Sequence, residues 1–294
     1  MKSGQVKAIL YALLAAVLYA LNTPVSKILL EEIPPRMMAG FLYLGAGVGI
    51  GLLSLTKKDE SAERLEKSDL PYVIGMVVLD IAAPVFLMFG ILNTEASTVS
   101  LLNNFEIVAT TVVALLIFRE KVSALLWGGI AFITVSSILL STGGELSFSF
   151  SWGAVFVLAA TICWGFENNC TRRISSKSTY EIVFIKGIFS GAGALILGLL
   201  TGERYFQIGY ILAAMLLGFV AYGLSIFFYI RAQRVIGAAK TSAYYAVSPF
   251  VGALLSFIFL HESLTGHFTA ALILMIIGSV MVVADTLGVR PGKK

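Results

Sequence analysis

The sequence predicts an all-α integral membrane protein, ten transmembrane helices arranged as two inverted five-helix repeats. Three observations carry this. Hydrophobic residues make up 58% of the 294-residue chain and charged residues only 13%, where soluble domains run near roughly 45–50% and 25%. The mean hydropathy is +0.90. The apolar residues also gather in about ten blocks, each close to the roughly 20 residues that cross a hydrocarbon core of about 30 Å. With two cysteines, the chain is no disulfide scaffold.

The blocks justify the helices in order. The first, 6–30, holds Asn22, Pro24 and Lys27; it is too long for a cleaved leader and lacks a small-residue cleavage site. The second, 36–56, contains Gly47, Gly49 and Gly51. The third, 70–93, carries Asp80 and Pro84. The fourth, 97–118, carries Asn103, Asn104, Glu106 and Thr110, and the fifth, 122–141, no charge. Trp164, Glu167, Asn168 and Asn169 mark the sixth, 151–173. Lys186, Gly187 and Gly191 mark the seventh, 179–201. Tyr222 and Tyr229 lie in the eighth, 208–231, and Tyr244, Tyr245, Ser248 and Pro249 in the ninth, 238–260. The tenth is 264–286. None alternates apolar and polar residues as a barrel strand does.

Basic residues set the orientation. With the amino terminus cytoplasmic, every Lys and Arg except Lys27, Arg36, Lys186 and Arg204 falls on a cytoplasmic segment. The positive-inside rule therefore places both termini in the cytoplasm, and an odd number of crossings would scramble that partition. The net charge of +4 is explained by these anchors and calls for no nucleic-acid partner.

The halves divide near 1–145 and 146–294. Five crossings is an odd number, so a repeated unit inserts upside down the second time. Tyr19-Ala20-Leu21-Asn22 with Lys27 aligns with Trp164-Gly165-Phe166-Glu167 with Arg172, and Phe118-Arg119-Glu120 with Leu260-His261-Glu262. Inverted repeats are typical of secondary transporters, whose substrate sites lie near the midplane between halves.

A charge at mid-membrane costs about 2.5–3.5 kcal/mol or more, so it faces the protein interior. Four stand at depth: Asp80, Glu106, Glu167 and Lys186. Helical spacing puts Asn103, Glu106 and Thr110 on one stripe. Lys186 is expected to pair with Glu167 or with Glu106. Three acids against one base leave an acid for a proton or a cationic substrate. Pro24, Pro84 and Pro249 free the carbonyls of Ala20, Asp80 and Tyr245 beside polar clusters. The small-xxx-small spacings 47–51 and 187–191 suit close helix packing within the chain, a homodimer being the alternative to a monomer.

Several chemistries are excluded. His261 and His267 have no Cys or acidic cluster about them, so no metal site is expected. Cys163 and Cys170 lie about 10 Å apart by helical rise, too far to bridge. There is no phosphate-binding loop and no nucleophile–base pair at depth, so neither a cofactor nor an enzymatic activity is expected.

These landmarks together resemble the EamA-type branch of the drug/metabolite transporter superfamily. Tyr19…Asn22…Lys27 is similar to the family's first-helix pattern, and Trp164 to Arg172 to its second-half counterpart. Asn103 to Glu106, followed by Phe118-Arg119-Glu120, resembles its fourth helix. Lys186-Gly187 with Gly191 resembles the seventh, and Ser248-Pro249 with His261-Glu262 the ninth. The resemblance implies a multi-pass transporter of the bacterial cytoplasmic membrane. It would move a small polar metabolite, an amino acid or a relative, outward by alternating access, with helices five and ten peripheral. Its expected partners are that substrate, the lipid bilayer and protons as a candidate coupling ion. The expected substrate or coupling residues are Asn22, Asp80, Asn103, Glu106, Trp164, Glu167, Asn168, Lys186, Tyr244 and Ser248. The alternatives are a uniporter or channel-like pore, and a proton-coupled efflux pump for cationic drugs.

Overall fold

A computed structural model of the chain describes residues 3–56, 63–118, 123–142, 151–236, 241 and 244–287. Among these there are helices and connecting turns, with one isolated bridge between Glu63 and Lys177. The helices are α1 (Ser3–Ala20), α2 (Asn22–Leu29), α3 (Pro35–Thr56), α4 (Leu70–Leu92), α5 (Ala96–Leu102), α6 (Phe105–Phe118) and α7 (Ala124–Ser141). There follow α8 (Trp152–Ile174), α9 (Thr179–Leu200), α10 (Ile208–Gly218), α11 (Ser225–Ile236), α12 (Ser248–Leu260) and α13 (Gly266–Thr286).

Among the described residues seven stretches are long and apolar enough to cross a membrane: Gly4–Leu29, Pro35–Thr56, Lys67–Leu92, Ala124–Ser141, Thr179–Leu200, Ile208–Ile236 and Gly266–Asp285. The three remaining blocks fall short for separate reasons. Block 97–118 is broken, α8 carries Glu167, Asn168, Asn169, Arg172 and Arg173 in its last turns, and of 238–260 only part is described. Outward from the bundle stand Leu10, Leu52, Val78, Ile196, Leu212 and Val280, all exposed, as a lipid-facing surface requires.

The breaks have local causes. Pro24 has no N–H to give Ala20 and its ring crowds that carbonyl, so α1 ends there and α2 begins after Leu21. Between α5 and α6 the ladder tightens, with Asn104 N–H on the Leu101 carbonyl (3.0 Å), Glu106 on Asn103 (3.1 Å) and Ile107 on Asn104 (3.1 Å). Pro249 stands in the first turn of α12, where no amide hydrogen is needed. Pro84 lies inside α4 without ending it. Phe219–Leu224, between α10 and α11, is a single wide π turn.

Close packing centres on α3 and α9, which run antiparallel with glycines at the contact. A Cβ on Gly187 would overlap the backbone nitrogen of Gly47, and one on Gly191 would stand 2.6 Å from that of Leu44. The small-xxx-small spacing thus serves contact inside the chain. α4 lies along α8, and α7 along α13, where the Ser136 hydroxyl donates to the Ala271 carbonyl (2.6 Å).

Polar clasps tie segments together at the two ends. At one, the Lys27 ammonium donates to the carbonyls of Ile91 (2.5 Å), Leu92 (3.3 Å) and Thr94 (2.8 Å), where the C-terminus of α4 gathers negative dipole. The Glu262 carboxylate accepts from the Ala96 (2.7 Å) and Ser97 (2.9 Å) amides that open α5. Glu203 does the same for Arg36 and Met37 at the start of α3 (3.0 and 3.2 Å), and its other oxygen pairs with the Arg36 guanidinium (2.6 Å). At the opposite end Lys177 faces Glu63 (3.2 Å), Glu66 (3.3 Å) and Asp69 (3.8 Å). The hydrogen bond to Glu63 leads in holding its ammonium above the ordinary lysine range. Arg119 and Glu120, aligned in sequence with His261 and Glu262, lie outside the described residues.

Candidate functional site

Four helices converge on Lys186. Its Nζ lies 3.1 Å from Asp80 Oδ2 and 3.0 Å from Glu167 Oε1, so α9 carries the base and α4 and α8 the acids. All three are buried, Asp80 completely. The Tyr43 hydroxyl of α3 donates to Asp80 Oδ1 (2.9 Å), and the Thr171 hydroxyl to Glu167 Oε1. A buried charge is tolerated when it is paired and its remaining lone pairs are met. Here one ammonium serves two carboxyl groups. Of the two pairings expected for Lys186, the one with Glu167 forms; its second partner is Asp80, not Glu106.

Glu106 occupies separate ground. It lies in the first turn of α6, where the break at Asn103-Asn104 creates a helix N-terminus that favours an acid. Its Oε1 accepts from Asn168 Nδ2 at 2.6 Å, and the same amide reaches Thr110 Oγ1 at 3.3 Å. Glu106, Asn168, Tyr19 and Tyr245 each keep some accessible surface, and the Glu106 carboxylate is within electrostatic reach of the Tyr19 and Tyr245 hydroxyls and of Glu167 and Lys186.

Aromatic rings connect the two groups. Tyr19 meets Trp164 edge-on with centroids 6.4 Å apart, Tyr222 at 5.6 Å and Tyr245 at 6.0 Å. Tyr229 packs on Tyr245 at 5.2 Å, and Tyr43 on Tyr222 at 5.0 Å. The π turn carries Tyr222 into this cluster, where its hydroxyl accepts from Asn22 Nδ2 (3.1 Å). Asn22 Oδ1 in turn accepts from Ser26 (3.0 Å). Ser26 on Asn22 and Thr171 on Glu167 are both one helical turn apart, at positions that align between the halves.

Of the ten residues read from sequence, Asp80, Glu167 and Lys186 meet in the triad, Glu106 joins Asn168, and Trp164 and Asn22 line the aromatic cluster. Asn103 is buried at the end of α5. Its Oδ1, and both polar atoms of Asn104, have no hydrogen-bond partner among the described residues. Ser248 is buried at the start of α12. Tyr244 is half-buried, and its neighbour Tyr245 makes the ring contacts. The site also includes Tyr19, Tyr43 and Thr171. Tyr43 had one sequence signal, a phenol placed among the glycines of α3.

The chain matches the model of the EamA-like transporter family twice, over residues 6–142 and 151–284. The chain belongs to the EamA-like transporter family. Related sequences agree with that. An uncharacterized transporter of Methanothermobacter thermautotrophicus is 26% identical over 271 residues, covering 84% of this chain and 78% of that one. The uncharacterized inner membrane transporter YedA of Escherichia coli K12 is 26% identical over 238 residues, covering 79% of this chain and 76% of YedA. A solved crystal structure superposes with a TM-score of 0.70 at 13% identity, covering 96% of this chain and 98% of the other, which shows a shared fold. This EamA-like transporter is thus a membrane-spanning protein whose buried charges are shared among helices from both matched regions. Cys163 and Cys170 are free thiols.

Proposed function

We propose that this protein is a secondary transporter that exports a small polar metabolite, an amino acid or a related compound, across a bacterial cytoplasmic membrane by alternating access. Ten crossings in two inverted halves, near 1–145 and 146–294, would put both termini in the cytoplasm. One observation carries the reading. A charged and aromatic cluster deep in an otherwise apolar bundle is assembled from Asn22, Asp80 and Glu106 of one half and Trp164, Glu167, Asn168 and Lys186 of the other. Charges at such depth are costly, and they mark substrate or ion pathways when they face the interior. The clasps at Lys27 and Glu262, and at Lys177, favour a carrier with closable ends over a continuous pore.

In this reading Glu106 couples transport, because its carboxylate is hydrogen-bonded by a neutral amide and not by a base. The test is Glu106→Gln in proteoliposomes driven by a pH gradient. Loss of driven transport, with monodisperse folded protein, is expected. Unchanged flux with unchanged pH dependence would overturn the role.

A further inference from the structure

The reading above leaves the substrate's charge open, and the inference drawn here rests on that reading. We propose that Glu106 and the aromatic rings beside it line a space that binds its substrate through a cationic amine, so that among small polar metabolites amines are taken in preference to zwitterionic amino acids.

The charge arrangement is the first argument. An amino acid brings a carboxylate as well as an ammonium, and the carboxylate needs a base. Lys186 is committed to Asp80 at 3.1 Å and Glu167 at 3.0 Å, and its side chain is 7% exposed. The other described bases stand at the ends of the bundle. Lys27 is held by three carbonyls, Arg36 by Glu203, and Lys177 by the acids of the opposite clasp. Glu106, by contrast, has neutral hydrogen-bonding neighbours, Asn168 and through it Thr110. Among the described residues the region offers a carboxylate to an ammonium, while the base in its electrostatic range, Lys186, is already held by two acids.

The second argument is the wall. Tyr19 touches Trp164 and Tyr245, at 6.4 and 6.0 Å between centroids, and Tyr19 and Tyr245 lie within reach of Glu106. Aromatic faces attract ammonium groups, most strongly where water is excluded. The third is an excess of unpaired acceptors over donors. Asn103 Oδ1 and Asn104 Oδ1, on residues 6% and 1% exposed, have no donor among the described residues, against one unpaired donor, Asn104 Nδ2. They stand three and two positions before Glu106, at the break that opens α6. An unpaired buried acceptor is costly, and the N–H groups of an amine are donors without acceptor character.

The test uses the full-length protein in nanodiscs and two matched pairs of compounds, putrescine with ornithine and tyramine with tyrosine, titrated calorimetrically. At least one amine is expected to bind tenfold or more tightly than its amino acid. Glu106→Gln should weaken that amine by about a hundredfold, Glu106→Asp should restore part of the loss, and Tyr245→Leu should weaken it by about three- to thirtyfold. Amino acids binding as well as their amines, no binding by either amine, or Glu106→Gln binding the amine like the parent protein would each overturn the proposal. Counterflow in proteoliposomes separates the two readings. Saturable exchange of an amino acid without exchange of its amine removes this inference and leaves the transporter. Binding of an amine with no saturable exchange removes the transporter and leaves the site.

Discussion

Replacing Lys186 by Met keeps the length of the side chain and deletes its charge, leaving Asp80 and Glu167 buried with no base between them. Removing one partner of a buried ion pair costs about 3–5 kcal/mol. Two donors remain: the Tyr43 hydroxyl on Asp80 at 2.9 Å, and the Thr171 hydroxyl on Glu167. Bonds of that kind to a charged acceptor contribute about 1.5–3 kcal/mol each, so the loss should fall at the lower end, near 3 kcal/mol. The assay is equilibrium unfolding in mixed micelles of Lys186→Met, Asp80→Asn and the pair combined. The double variant should be more stable than the sum of the single losses predicts by at least about 1 kcal/mol, because it buries one fewer unpaired charge. Strictly additive losses would refute the contact, and a parent-like Lys186→Met would refute the cost assigned to it.

Three further outcomes can be checked separately. Gly187→Ala puts a methyl group into the backbone of Gly47 and should cost about 1–3 kcal/mol, whereas Gly209→Ala, whose Cβ meets nothing within 4 Å, should not lower the melting temperature; equal stability of both would contradict the α3–α9 contact. Glu262→Gln weakens the acceptor at the start of α5 by about 1 kcal/mol, and faster hydrogen exchange at Ala96 and Ser97 would report it. The raised lysine at 177 sets a pH dependence. A folded-state value above the unfolded one stabilises below the ordinary lysine range and is lost only as pH rises through the higher folded value. Protection of residues 63–69 should therefore persist where a free lysine deprotonates, and be weaker in Lys177→Gln and at 1 M salt.

The helices were legible because burial in lipid acts on averages over some 20 residues, and local detail hardly disturbs the average. The breaks were legible where proline caused them, at Pro24 and Pro249, but Pro84 lies inside an intact α4. The turn at Asn103-Asn104 contains no proline, and in sequence its two amides read simply as polar positions in an apolar run. Asp80, Glu106, Glu167 and Lys186 were each legible from the cost of a charge at depth. That Asp80 and not Glu106 stands beside Glu167 on Lys186 was not, since that follows from α9 lying against α4, a property of neighbours distant in the chain. Tyr19 and Tyr43 show the same limit: in a membrane helix an aromatic residue reads alike whether it faces lipid or lines the site.

Where α3 and α9 meet, backbone touches backbone at Gly47 and Gly187, and again at Leu44 and Gly191. A joint made this way has no rotamers to trade, and packed interfaces shift between discrete arrangements without deforming smoothly. In the alternating-access cycle proposed above it would serve as an axle. Bending would then fall to the helices whose ladders are already interrupted, α1–α2 at Leu21 and α5–α6 at Asn103-Asn104. Each interruption lies within a turn of a polar side chain of the site, Asn22 at one and Glu106 at the other, so in that cycle a load placed on the site would be carried directly to these two joints.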